Sequence, residues 1–296
     1  MTKKPLIFGE VLFDEFPDGN SILGGAPFNV AWHLQGFGLQ PCLISAIGDD
    51  ALGKQVLQTM EQWGMDTSGV QVLTGEATGR VSISLQQGQP SFDILDHQAY
   101  DAISIDNQLL SSTSEFAVLY HGSLAARHAV SRTTLQTYIR QLHVPVFIDI
   151  NLRPPWWQRS LIESLAGTGT WLKINEHELA AWHGRDSLPR EQWLPRAREL
   201  IQRYGLELLI LTQGEAGASY ITAEQEISGA PPPVTRMLDT VGAGDAFSAV
   251  TLAGLLLNWP RELTLQRALA FSSRLCAIRG ATTLDTALYS ETLGSW

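Results

Sequence analysis

Short apolar runs alternate along this chain with segments whose apolar residues recur at helical spacing. Leu6, Ile7 and Phe8 form an apolar run closed by Gly9, which predicts a buried strand leading into a turn. Residues 11–16 continue extended and carry Asp14 and Glu15, and Pro17, Asp18, Gly19 and Asn20 follow as a turn. Residues 26–37 read as a helix between Gly24-Gly25 and Gly38. A strand is predicted at 42–47 and a helix at 51–63. After Ser114 the rhythm resumes, with strands at 116–121, 144–150, 170–174 and 206–212. Helices are predicted at 127–142, after Pro154-Pro155, at 176–182 and at 189–204. A small hairpin at 218–228, a stiff triproline connector at 231–233 and long helices at 241–257 and 263–279 complete the pattern. Strands alternating with helices imply an α/β fold whose mostly parallel sheet is covered on both faces.

Residues 70–95 break this rhythm. Val81, Ile83 and Leu85 alternate with Ser82, Ser84 and Gln86, a period of two. Gln87, Gly88, Gln89 and Pro90 make a turn, and residues 91–95 return as a second strand. This is a β excursion from the main domain, exposed on one face.

Composition narrows the class. Over 296 residues, 44% are apolar and 17% charged, a globular mixture long enough to bury a sizeable core. The net charge of −10 argues against a nucleic-acid partner. It leaves room for a phosphate, which a local nest of backbone N–H groups can hold. Cys42 and Cys276 sit in apolar segments and read as core residues, which suits a reducing cytoplasm. The apolar helix near residue 250 is too short to span a membrane, and the first apolar run is too short for a secretion signal.

Two glycine-rich segments carry candidate chemistry. In the first, Asp239-Thr240-Val241-Gly242-Ala243-Gly244-Asp245 opens an apolar helix. Small residues there leave amides uncovered at the positive end of the helix dipole, which makes an anion site. Asp245, in the first turn, either accepts a proton from an attacking hydroxyl or simply complements the dipole. In the second, Gly24-Gly25-Ala26-Pro27-Phe28-Asn29, small residues permit close ligand approach. Asn29 offers donors and acceptors to sugar hydroxyls, although an ordinary helix-entry loop with Pro27 near its first position fits too.

The two segments together resemble the signatures of the ribokinase-like (PfkB) carbohydrate kinases, through Gly24, Gly25, Pro27, Asn29, Ala31, Gly38 and Gly48 and through residues 239–249. Val250 is bulkier than the small residue often found there. The phrases around Gly9-Glu10, Asp149 to Trp156 and Lys173 to Leu179 are similar to those of bacterial fructokinases. The resemblance implies one domain over residues 1–296: a three-layer α/β/α sandwich with a small β lid from about 10–23 and 70–97. The sugar would lie between lid and sheet, and ATP along the C-terminal half. Asp245 would be the general base, with Gly242, Ala243, Gly244 and Arg153 holding phosphoryl charge. Asp14, Gly24, Gly25 and Asn29 would bind the sugar, and Asn175, Thr212, Gly214, Gly217, Gly242 and Gly244 the nucleotide.

In that frame Glu178 would hold the waters of Mg²⁺, and Asp239 with the backbone near Gly280 would match a K⁺ site. The adenine side falls at 265–281, near Ala268, Ala270 and Phe271, without the asparagine common there in relatives. Arg80 and His97 are lid candidates for sugar or subunit contacts, and His121 is either a sugar-pocket or a core residue. Paired lids would make a homodimer. The implied reaction converts ATP and D-fructose to ADP and D-fructose 6-phosphate. The alternatives are a kinase for 2-keto-3-deoxygluconate or ribose, and a catalytically silent sugar or nucleotide sensor on the same fold.

Overall fold

Leu6 and Ile7, adjacent in sequence, are both fully buried because the strand that carries them has a neighbour on each side and a core on each face. That strand is β1 (Lys4–Phe8). Leu6 and Phe8 enter one apolar core and Ile7 the other, as a period of two requires. The computed structural model describes residues 3–86, 89–234 and 236–296.

After β1 come β2 (Leu12–Glu15), β3 (Ser21–Gly24), α1 (Ala26–Gly36), β4 (Cys42–Gly48), α2 (Ala51–Gln62) and β5 (Val70–Leu73). Then follow β6 (Gly79–Gln86), β7 (Gln89–Ile94), α3 (Asn107–Ser111), β8 (Phe116–His121), α4 (Ala129–Leu142), β9 (Val146–Asp149) and α5 (Arg159–Ala166). The chain continues through β10 (Trp171–Asn175), α6 (Glu176–Trp182), α7 (Arg190–Tyr204), β11 (Leu208–Thr212), β12 (Ala218–Ile221) and β13 (Glu226–Gly229). It ends with α8 (Ala243–Leu256), α9 (Arg261–Leu275) and α10 (Thr286–Gly294).

The main sheet has nine strands in the order β13-β12-β11-β10-β9-β8-β1-β4-β5. Its pairs are parallel from β5 to β11, and the hairpin β12-β13 closes one edge antiparallel. Helices α1, α2, α8 and α9 pack on one face and α4, α5, α6 and α7 on the other, which gives the three layers. These three layers are those the motifs imply. The chain has no helix long and apolar enough to cross a membrane among the described residues.

The second sheet runs β3-β2-β6-β7 and is the one the resemblance expects to act as a lid. Val81 and Ile83 are buried and Ser82 and Ser84 exposed, so the alternation predicted for this strand is met at those positions. Of the expected turn, Gln87 and Gly88 lie outside the described residues. The lid boundary needs correction. Residues 70–73 pair in parallel with β4 and belong to the main sheet, so the lid strands are confined to 12–24 and 79–94. Strand propensity alone does not distinguish the two sheets; pairing partners do.

Helix α8 is buried on nearly every side, which explains why it is apolar all round. Its polar residues are satisfied internally: Thr251 bonds the Tyr220 hydroxyl at 2.7 Å, and Ser248 donates to Asp149 at 2.6 Å. Trp32 and Trp63 serve packing, stacked at 5.0 Å between ring centres. Cys42 and Cys276 are both buried free thiols.

Candidate active site at the carboxyl edge of the sheet

Strands β1, β8, β9, β10 and β11 all end at one edge of the sheet, where α/β folds bind ligands. The N-termini of α1 and α8 carry the two glycine-rich segments, and a hydrogen bond joins them. Asn29 Nδ2 donates to Asp245 Oδ2 at 2.7 Å, and Asn29 Oδ1 is buried without a partner among the described residues.

Glycine at 24 keeps space open beside this pair. A Cβ there would lie 3.8 Å from Asn29 Oδ1 and 3.9 Å from Asp14 Oδ2. Gly25 has φ +110°, and a Cβ on it would meet the Glu10 carbonyl at 2.6 Å, so only glycine fits. Asp14, Gly24, Gly25 and Asn29 thus lie close together beside Asp245, where the small sheet meets the main one. Loss of hydration pushes the Asp14 carboxyl above its usual range, and Arg153 pulls it back. Arg153 is exposed and lines a small cleft with Ser123, Asn151 and Trp156, and its charge also favours the ionised forms of Glu10 and Asp245.

Loss of hydration likewise pushes Asp245 up to about 6, against the stabilising donation from Asn29. Asp149 adds repulsion, while Lys173 and Arg153 favour the ionised form. Beneath Asp245 lies a buried cluster whose roles the sequence left unassigned. Asp149 accepts from Lys173 Nζ at 2.7 Å, from the Tyr120 hydroxyl at 3.0 Å and from Ser248 Oγ at 2.6 Å. Burial draws the Lys173 ammonium down, but Asp149 outweighs it and the group stays charged. A Cβ on Gly244 would be 3.8 Å from Lys173 Nζ, so this cation underlies the start of α8. The available signal was two charged residues placed inside apolar strands, which only a partner makes tolerable.

The loop expected to cradle an anion departs from that expectation at one amide. Gly242 has φ +77°, and a Cβ on it would strike Ala281 Cβ at 2.4 Å. The Ala243 amide turns back onto the Thr240 carbonyl at 3.2 Å, so it is engaged in the turn. The amides of Gly242, Gly244 and Asp245 form no hydrogen bond among the described residues and remain open. Asp239 holds the loop in place, accepting from Val241 N at 3.0 Å and from Gly280 N at 2.9 Å.

A cavity of about 670 Å³ extends from this nest. Asn175, Thr212, Gly214, Gly217 and Gly244, the residues expected to contact a nucleotide, line it, whereas Gly242 shapes the turn behind the wall. Gly217 has φ +105° and packs its Cα against the Gly229 carbonyl, where no side chain would fit. The stretch expected on the adenine side, 265–281, does border the cavity. Ala268 and Phe271 are buried in the core, and α9 presents Leu269, Ser272, Ser273 and Cys276 to the cavity instead. Those positions share one helical face. Pro231, Pro232 and Pro233, read from sequence as a connector, form the opposite wall.

Glu178 does not line the cavity. Its carboxylate accepts from Asn175 N at 2.9 Å and Leu152 N at 3.0 Å, closing a capping box with Asn175. Burial pushes it up to about 7. Glu176 and His177 reach the wall in its place. Glu10 is a further buried carboxyl, pushed up to about 7 by loss of hydration, with Oε2 unpartnered among the described residues. His121 is fully buried, bonds the Gly122 carbonyl through Nδ1 at 2.7 Å and is held neutral, lowered to about 4 by burial. Arg80 pairs with Glu15 at 3.8 Å on the lid surface.

A fructokinase of Klebsiella pneumoniae is 28% identical over 268 residues, covering 86% of this chain and 85% of that one. A solved fructokinase of Xylella fastidiosa with bound ATP superposes with a TM-score of 0.84 at 20% identity, covering 99% of this chain and 98% of that one. A fructokinase double mutant of Vibrio cholerae O395, solved with fructose, ADP and potassium ion, superposes with a TM-score of 0.79 at 22% identity over 98% of each chain. Residues 7–287 match the pfkB family of carbohydrate kinases. The chain therefore belongs to that family, and it is a sugar kinase, a phosphotransferase acting on a sugar hydroxyl.

Proposed function

We propose that the protein transfers the γ-phosphoryl group of ATP to the 6-hydroxyl of D-fructose, with Asp245 as general base. The carrying observation is the position of Asp245. It stands between the open amides of α8 and the pocket of Asp14, Gly24 and Asn29. The two oxygens of Asp14 accept from neighbouring sugar hydroxyls, and Asn29 offers its free carbonyl oxygen to the sugar while its amide group orients Asp245. The hydroxyl proton passes to Asp245 as the sugar oxygen bonds to phosphorus. The bond from phosphorus to the bridging oxygen breaks and ADP leaves with that electron pair. Developing charge meets the amides of Gly242, Gly244 and Asp245, the charge of Arg153 and the Lys173 ammonium beneath. The lid, rooted beside Asp14, excludes water from the pocket when closed.

The donor set suits a magnesium ion that arrives with ATP and keeps most of its waters. Glu176 on the cavity wall and Glu178 one layer behind would receive those waters, and the ion would neutralise charge between the phosphates. A K⁺ ion would belong behind the nest, where Asp239 ties its loop to Gly280. Subunits would pair through their lids, whose edge strand β3 exposes Ile22. Fructose is favoured over other small sugars by the similarity to fructokinases at 28% identity. The test is ADP release with Mg-ATP across fructose, ribose, 2-keto-3-deoxygluconate, mannose, glucose and adenosine. Fastest turnover on fructose supports the reading. Preference for another member of the panel replaces the substrate, and binding without turnover on any of them points to a sensor.

A further inference from the structure

Outside the active site, Asp96, His97 and His128 bring one ligand atom each within 4.8 Å of one another. His128 Nε2 lies 2.6 Å from Asp96 Oδ1, and His97 Nε2 lies 3.6 Å from Asp96 Oδ2. A tetrahedral zinc site with bonds of about 2.0–2.1 Å places neighbouring ligand atoms roughly 3.3 Å apart. Both distances therefore reach that spacing through small side-chain rotations. His97 sits at φ +51°, a left-handed turn that sets its ring centre 5.1 Å from that of His128.

The position is as telling as the ligands. Asp96 and His97 lie where the chain leaves the last lid strand, β7, and His128 precedes α4 in the body. Their surroundings are held by contacts between the same two parts. Trp156 Nε1 donates to the Ile94 carbonyl at 3.0 Å, and Arg127 Nη2 donates to the Leu95 carbonyl at 2.6 Å. The Gln98 amide group donates to the Asp96 carbonyl at 2.9 Å, which fixes the backbone carrying two of the ligands. Asp101, clasped by Arg127, adds a carboxylate oxygen 3.9 Å from His128 Nε2.

We infer that Asp96, His97 and His128 form a site for a zinc-like transition-metal dication that ties the lid exit to the body. Two imidazoles and one carboxylate suit zinc, while the magnesium that accompanies ATP prefers oxygen ligands and water. The fourth position is open to solvent. A bound ion restrains the hinge through which the lid, carrying Asp14, meets the sugar pocket. This goes beyond the kinase reading and does not depend on which sugar is used.

The experiment is calorimetric titration of the purified protein with ZnCl₂ in excess Mg²⁺ without ATP, with thermal melting in parallel. Saturation near one equivalent and a raised melting temperature are expected. In His97→Gln/His128→Gln, and in Asp96→Asn, binding weakens about tenfold or more. These residues are at the surface, so an unchanged metal-free melting temperature verifies that the variants fold. His177→Gln, at the nucleotide cavity, retains the binding. Absence of saturable binding, equal binding by the double variant, or loss of binding in excess Mg²⁺ overturns the site. Zinc bound at these residues with no change in KM for the sugar overturns the restraint on the lid.

Discussion

Asn29 Nδ2 donates to Asp245 Oδ2 at 2.7 Å, joining the first turns of α1 and α8 across 216 residues of sequence. One glycine-rich segment thereby orients the carboxylate that the other supplies. On the proposed mechanism Asp245 is a base that must be both ionised and aimed, and this bond would serve both needs.

Removing the base should abolish turnover while leaving nucleotide binding intact. Asp245→Asn is expected to lower kcat by about 10²–10⁴-fold, the usual worth of general-base catalysis. Steady-state ADP release and ATP titration of the variant measure the two effects. An active variant would remove Asp245 from its assigned role.

The pH profile should report the same residue. Asp245 must be ionised to accept a proton, and its carboxyl is pushed up to about 6. Activity should therefore fall as pH drops through about 6. Asn29 donation favours the ionised form, so Asn29→Ala should move that acid limb to higher pH. A profile of kcat/KM from pH 5 to 9 checks the direction; a limb that stays in place would assign it to another group.

The buried pair of Lys173 and Asp149 should matter for stability and for charge beneath the nest. Lys173→Met leaves Asp149 buried and uncompensated, which should cost about 3–5 kcal/mol in urea unfolding. Lys173→Met/Asp149→Asn removes both charges and should recover much of that loss. Turnover should stay depressed in the double variant, because the cation under Gly244 is gone. Full recovery of both properties would make the pair purely structural.

Two glycines should separate sugar from phosphate. A methyl group at Gly24 meets only ordinary contacts, but it occupies space between Asp14 and Asn29. Gly24→Ala should raise KM for the sugar and leave KM for ATP unchanged. Gly242→Ala strains a left-handed turn and collides with Ala281, displacing the open amides. Its kcat should fall at least about tenfold, in keeping with the loss of oxyanion donors. Steady-state kinetics with each substrate varied distinguishes the two.

Much of this site was legible in the chain because its signals are local. A period of two marks the lid strand β6, and alternating strands and helices mark the parallel sheet. Glycines at a helix start mark a turn with open amides, and an acid within the next turn is placed beside them, since both depend on backbone conformation over a few residues. What tertiary structure alone decided depends on residues far apart in sequence. Pairing with β4 put residues 70–73 in the main sheet rather than the lid. The packing of α9 and the residue after it turned Leu269, Ser272, Ser273 and Cys276 toward the large cavity and buried Phe271 in the core. Neighbouring strands brought Lys173 to Asp149, and α8 laid Ser248 on the same carboxylate. Periodicity states which face of an element is buried, but the partner on that face is chosen by packing the whole chain.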